Sequence, residues 1–217
     1  MIVDVAQRWH RREGSWRPAG ERFDPRCYEV ASLASDATAR AFVEAHHYSG
    51  SYPAARFRFG LHERGGALVG VAVFSVPMRA EVLRPFPAEA ATELGRFVLL
   101  DRVPGNAESW FLARCLHDLT RRGVEGVVSF SDPEPRAGRD GAVVFRGHVG
   151  TIYQASNAIY RGRATPRTLR LFDDGTVLSA RAISKVRAGE RGWRYVVEQL
   201  VSLSLIHISE PTRLLSI

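Results

Sequence analysis

Apolar and polar positions alternate over Cys27–Leu33 (CYEVASL), the period of a strand with one covered face. Ser35 then precedes Asp36 and an Ala-rich stretch with apolar positions at Ala41, Phe42 and Ala45. That pattern predicts an N-capped helix, stopped at His46–Gly50 by the glycine. Arg56–Glu63 alternates strongly, and Ala67–Val76 is a fuller apolar run beyond a Gly-Gly turn, so the two predict a hairpin. Pro77–Pro87 reads as a loop and Glu93–Leu100 as the next strand. After a turn at Asp101–Asn106, the apolar stripe Phe111, Leu112, Cys115, Leu116 and Leu119 has helical spacing and predicts a helix over Ala107–Arg122. Gly126–Ser131 reads as a buried strand, Ile152–Asn157 as a short helix, and Arg167–Phe172 and Thr176–Ala182 as two strands.

The resulting order, β-α-β-β-β-α-β-α-β-β, predicts one mixed α/β domain over 26–200 with a mostly antiparallel central sheet and flanking helices. Residues 1–25 mix Arg, Gly, Pro and Trp without periodicity, which predicts an irregular basic arm. Arg8, Arg11, Arg12, Arg17 and Arg22, with Trp9 and Trp16, can grip phosphates and stack on bases, or the tryptophans can simply pack on the domain. Leu203–Arg213 (LSLIHISEPTR) resembles, codon for codon, the translation of a transposase-based sequencing adapter. A genuine amphipathic tail is the alternative. The adapter reading makes 201–217 a non-native tail, expected to add little contact with the core.

Composition then narrows the function classes. With 217 residues, 45% hydrophobic and 24% charged, the chain reads as globular, and its two cysteines exclude a disulfide framework, so a cytoplasmic setting is expected. Its longest apolar run, Ala67–Pro77, is too short and glycine-broken for a bilayer span, so no membrane partner is expected. A net charge of +7 points to a polyanionic partner, nucleic acid first. All the basic residues but Lys185 are arginine, a bias that a GC-rich genome also produces.

Candidate chemistry sits at element ends. Arg102–Ala107 fits R-x-x-G-x-A between a strand and a helix, where free N–H groups can hold a pyrophosphate; Pro104 removes one such donor. Acetyltransferases of the GNAT superfamily hold acetyl-CoA in such a loop, and the order of elements resembles theirs. Alternatively Asn106 caps the helix and Glu108 favours its positive end. His47 and Tyr48 at a helix end, and Asp132 at a strand end, lie where open α/β sheets gather their sites. His47 or Asp132 can take a proton; Tyr48 or Tyr153 can hydrogen-bond or stack on a flipped base. Arg96, inside an apolar strand, can bind a phosphate or carboxylate, or needs Glu108 or Asp132 as a structural partner. His47 and Asp132 can also bind a divalent metal such as iron, although two ligands do not define a site. His46, His62, His117 and His148 read as surface or satisfied residues.

A more specific resemblance lies in three separated stretches: His47-Tyr48-Ser49; Glu93–Phe97 leading to Pro104–Ser109; and Ser129–Asp132, followed downstream by Gly150–Asn157 (GTIYQASN). In this order, over about Ala41–Ala182, they resemble the bacteriophage Mom family. The resemblance implies a GNAT-like fold and addition of a carbamoylmethyl group to the exocyclic amine of adenine in double-stranded DNA, which protects phage DNA from restriction. It implies His47, Tyr48, Asp132 and Tyr153 as catalytic candidates. Arg96, Arg102, Gly105, Asn106, Glu108, Ser109, Ser131 and Asn157 become candidates for binding substrate or cofactor. The donor stays open between acetyl-CoA and another acyl or glycyl donor, with a divalent metal as a further option. Pro133-Glu134-Pro135 and a Gly/Arg-rich insert before Tyr153 depart from the family pattern. An acyl-CoA-dependent N-acetyltransferase acting on a small amine or protein is the alternative enzyme. A non-enzymatic nucleic-acid-binding module rests on charge and the Arg/Trp arm alone.

Overall fold

The computed structural model describes residues 5–18, 20–77, 79–84, 86–138, 140–164, 167–172, 177–178, 180–190, 193–194, 197, 205–210 and 213–216. The chain opens with a hairpin, β1 (Val5–His10) and β2 (Glu13–Pro18), followed by β3 (Tyr28–Ser32) and helix α1 (Asp36–His46). Then come β4 (Ala55–Glu63), β5 (Leu68–Ser75), β6 (Ala91–Leu99), α2 (Ala107–Arg121) and β7 (Gly126–Ser131). A small hairpin, β8 (Arg136–Ala137) and β9 (Val143–Phe145), precedes α3 (Thr151–Ala155) and β10 (Ile159–Arg163). The described part ends with β11 (Arg167–Phe172), β12 (Val177–Leu178), α4 (Ala180–Ala188), β13 (Leu205–Glu210) and β14 (Arg213–Ser216).

The central sheet has the order β10-β14-β7-β6-β5-β4-β3, antiparallel at every pair except β6 with β7. A parallel pair needs a crossover, which α2 supplies. β5 is buried along nearly its whole length because helices cover both faces of the sheet. Val71, Val73 and Val98 pack with Ala39 and Val43 of α1; Ala72, Phe74 and Leu94 pack with Phe111, Leu112, Cys115 and Leu119 of α2. Burying each large side chain of that α2 stripe stabilises by roughly 1.5–3 kcal/mol. This is the mixed, mostly antiparallel α/β fold expected from the sequence.

One register detail positions the site. β6 and β7 pair only over Ala91–Glu93 with Gly126–Val128. Just beyond, the Ser129 hydroxyl donates to the Leu94 carbonyl at 3.2 Å, a side chain in place of a backbone rung. From there the two strands part, and the sheet opens at their C-terminal ends.

Several expectations need correction. Far from being irregular, the N-terminal arm is a hairpin whose turn, Arg11-Arg12, has positive φ at both residues (48° and 71°). Such turns are usually announced by Asn or Gly. Here the Arg12 N–H donates to the His46 carbonyl at 3.1 Å at the end of α1, and that docking holds the turn. In α1 the buried residues are Ala39 and Val43, while Ala41 and Ala45 are exposed. Of the described residues in Thr176–Ala182, Val177–Leu178 is strand and Ala180 onward is helix; Thr176 and Ser179 lie outside the described residues. The last segment, expected to add little contact, pairs β14 with β7 and β10, and β13 with β11. The edge of β7 away from β6 would otherwise expose backbone groups, and β14 pairs with it.

Candidate functional site

α1 ends at His47, whose N–H closes the helix on the Val43 carbonyl at 2.9 Å. Its buried imidazole is fixed by Ser49: the Ser49 N–H donates to Nδ1 at 3.1 Å. The ring proton of the neutral form therefore sits on Nε2. Burial first, then the charge of Arg96 and the neighbouring His148, hold His47 well below the ordinary imidazole value, so it is neutral near pH 7.

Tyr48 stands at the centre of an aromatic wall. Its ring lies 4.8 Å from Trp9 of β1, 4.7 Å from Phe145 of β9 and 4.2 Å from His47, and Trp9 stacks on Phe145 at 5.7 Å. The Tyr48 hydroxyl is 3.3 Å from His148 Nε2. Burial raises the Tyr48 pKa, and the neighbouring Asp132 charge adds to this, so it remains a neutral phenol.

Asp132 follows the end of β7, is 7% exposed, and forms an ion pair with Arg136 of β8. Its carbonyl accepts from the His148 N–H at 2.7 Å. The Arg136 guanidinium also lies over the Phe145 ring at 4.2 Å. The insert that departs from the family pattern thus supplies Arg136 and Phe145 to this wall. Tyr153 of α3 is buried; burial raises its pKa while a hydrogen bond with the Ser129 side chain opposes the shift. Ser131, on the same face of β7 as Ser129, is fully buried, and its hydroxyl has no hydrogen-bond partner among the described residues.

Arg96 has neither of the partners proposed from the sequence. Its Nε donates to the Ser51 carbonyl and its Nη2 to the Ser51 hydroxyl, both at 2.8 Å, while Nη1 donates to the Gly95 carbonyl at 2.6 Å. Glu108 is taken by Arg8 at 2.7 Å and Asp132 by Arg136. Among the described residues, no carboxylate lies within ion-pair distance of Arg96.

Tyr48 links these residues: His47 lies against its ring at 4.2 Å, Asp132, Arg96 and Tyr153 lie close enough to act on it electrostatically, and Arg96 acts on His47 as well. The structure does not bring Arg102, Gly105, Asn106, Glu108 and Ser109 into that cluster; they sit at the start of α2. Arg102 is bound to Glu63 at 3.0 Å and is largely exposed. Asn106 has φ 71° and makes no side-chain cap on α2, contrary to the capping reading; the Ser109 hydroxyl donates to its carbonyl at 3.1 Å. Asn157 is exposed with φ 58° just after α3, where the Ala158 N–H returns to the Tyr153 carbonyl at 2.9 Å, so its place is that of a left-handed helix stop. Sequence reasoning weighed Trp9 only as a base-stacking or packing residue of the arm, read His148 as surface or satisfied, and missed Arg136 and Phe145. The first belonged to an arm without periodicity, and the others to an insert that carries no motif. Among the described residues no three His, Cys, Asp or Glu side chains gather as metal ligands, and no helix is long and apolar enough to cross a membrane.

Burial and the Arg136 charge bring the His148 pKa down to about 4. A histidine depressed in the folded state favours its neutral form, so the stability tied to it is full above about pH 6.5. It is lost as the pH falls from there toward about 4. His47 acts with the same sign. Thermal melts across this window should show a falling Tm, and His148→Gln should flatten the decline. A Tm that holds level down to pH 4 would count against a buried neutral pair.

An antiparallel sheet, one parallel strand splayed from it, and a helix crossing between them make this a mixed α/β fold. The chain belongs to the Mom protein family, whose model matches residues 28–209. Similar solved structures include a ribosomal-protein-S5-alanine acetyltransferase from Vibrio fischeri (TM-score 0.49, 13% identity, covering 90% of this chain and 94% of that one). Others are the ribosomal-protein-S18-alanine N-acetyltransferase from Escherichia coli (0.42, 12%, 88% and 92%) and a spermidine/spermine N-acetyltransferase from Vibrio cholerae (0.42, 8%, 88% and 92%). The sequence matches no curated protein.

Proposed function

We propose that this chain modifies double-stranded DNA by adding a carbamoylmethyl-type group to the exocyclic N6 of adenine, a modification that would shield phage DNA from restriction. One observation carries the reading. In a chain of the Mom family, motif residues far apart in sequence act on one phenol: His47 lies against the Tyr48 ring at 4.2 Å, and the charges of Asp132 and Arg96 and the Tyr153 hydroxyl reach Tyr48 electrostatically, which supports the reading. The net charge of +7 suits a phosphate backbone.

An amine inside a duplex is out of reach, so the base must be extruded, at a cost of a few kcal/mol. Tyr48, half-buried with the buried Trp9 and Phe145 rings behind it, offers the base an aromatic partner in exchange. Arg96 forms no ion pair among the described residues, its guanidinium being held by Ser51 and the Gly95 carbonyl, and it can hold the oxygen of an activated carbamoylmethyl donor. As N6 attacks, its bond to the donor's CH2 forms and the bond from CH2 to the leaving group breaks, the electron pair departing with that group. The N6 proton becomes acidic as its lone pair is spent. The Asp132 carboxylate, paired with Arg136, can then take it. His47 is set differently, because its Nδ1 lone pair faces Ser49 and its Nε2 carries the proton. It is placed to donate a hydrogen bond, not to take the proton.

Plasmid from a bacterial host expressing the protein, digested to nucleosides and analysed by mass spectrometry, should contain a carbamoylmethylated deoxyadenosine. Tyr48→Phe, which removes one hydroxyl, should lower its amount with the fold intact. Unmodified deoxyadenosine throughout, from cells holding soluble folded protein, would end the reading.

A further inference from the structure

In the GNAT superfamily the loop entering the helix after the fourth sheet strand takes the pyrophosphate of acetyl-CoA. The corresponding loop here, Arg102–Ala107, is filled by the protein itself. The Gly105 N–H donates to Glu21 Oε2 at 2.7 Å, and the Asn106 side-chain amide lies 3.5 Å from the Glu21 carbonyl. Arg17 binds the same carboxylate with two nitrogens, Nε on Oε2 at 2.7 Å and Nη2 on Oε1. Arg17 also donates to the Asp101 carbonyl at 2.6 Å, which ties this cap to the loop's first residues. The chain leaving β2 presses on the same spot: a Cβ at Gly105 would stand 2.8 Å from the Pro18 carbonyl oxygen, a closeness only glycine permits.

The neighbouring Pro104 adds no donor for an anion: it has no N–H to offer, and its carbonyl accepts from Arg8 Nη2 at 2.9 Å. The cations around the loop each face a carboxylate: Arg17 with Glu21, Arg8 with Glu108 and Arg102 with Glu63. A diphosphate would have to displace Glu21, break the Arg17 pair, and settle beside the remaining carboxylates. A single carboxylate already takes the N–H and the helix end that would reward an anion there.

We propose that Glu21, held by Arg17, occupies the pyrophosphate cradle and excludes coenzyme A, so that the group this enzyme transfers comes from a donor without a diphosphate arm. The proposal rests on the DNA-modification reading only in calling that molecule a donor, and its test reads binding, not modification.

The purified full chain is titrated calorimetrically, at physiological ionic strength, with acetyl-CoA and separately with inorganic pyrophosphate. The unaltered protein should show no saturable binding of either up to about 1 mM. Glu21→Ala, with a melting curve confirming its fold, should bind acetyl-CoA at least about tenfold more tightly than that limit; Glu21→Ser replaces it should the alanine variant fail to fold. Saturable binding of acetyl-CoA by the unaltered protein below about 100 μM would overturn the proposal. So would a folded Glu21 variant that still binds nothing, because some other feature would then close the loop.

Discussion

Arg8→Ala is expected to destabilise the protein by about 3–5 kcal/mol, the range for removing one partner of a buried ion pair. Arg8 is 2% exposed although it sits in an N-terminal hairpin. Its Nε meets Glu108 at 2.7 Å and its Nη2 meets the Pro104 carbonyl at 2.9 Å. It thereby joins β1 to the loop before α2. Burial raises the Glu108 pKa and the Arg8 charge opposes this. Without Arg8 a poorly solvated carboxylate remains, so part of the loss should be relieved as the pH is lowered and Glu108 takes a proton. The neutral pair Arg8→Met with Glu108→Gln should recover most of the stability, because neither group is then a buried charge. Urea unfolding of the two single variants and the double variant measures this directly. A single-variant cost under about 1 kcal/mol, the value of a surface pair, would show that the contact is not held in the folded protein.

The contrast between Arg8 and the rest of the core shows what the sequence disclosed. Elements whose side chains face one medium per side were legible. The α2 stripe at Phe111, Leu112, Cys115 and Leu119 is buried as its spacing requires, and β4, β5 and β7 fall within a residue or so of the alternation that announces them. The α1 face was misread because alanines give no contrast: Ala39 is buried while Ala41 and Ala45 are exposed, and Val43 decides the orientation. Of the motif residues, His47 and Asp132 end elements that are joined through Tyr48 and His148, whereas Glu108 and Ser109 stay at the start of α2. What stayed hidden was long-range pairing of like-looking charges. Nothing in a run of arginines tells that Arg8 seeks Glu108, Arg17 seeks Glu21 and Arg136 seeks Asp132 while Arg96 keeps only serine and backbone oxygens. The Arg11-Arg12 turn was hidden for a related reason. Its positive φ values are imposed by docking on the end of α1, a tertiary cause that leaves no local signal.

Asp132→Asn is expected to abolish adenine modification and to weaken the fold, and the two effects can be separated. Asp132 and Arg136 are 7% and 4% exposed and form an ion pair, so the amide leaves the Arg136 guanidinium without that counter-charge, at a cost of about 3–5 kcal/mol. Lost modification in the single variant alone therefore proves little. Asp132→Asn combined with Arg136→Met removes both charges, while the methionine keeps an apolar contact on the Phe145 ring that Arg136 covers at 4.2 Å. This double variant should melt close to the unaltered protein. Its yield of modified deoxyadenosine should nevertheless stay down by about 10²–10⁴, the range for a lost general base. A purely structural Asp132 predicts the opposite pattern, with modification returning as stability returns. Nucleoside mass spectrometry and thermal melts on the same preparations distinguish the two. Recovery of modification in the double variant would move the proton acceptor away from Asp132 and leave the ion pair as scaffolding for the aromatic wall.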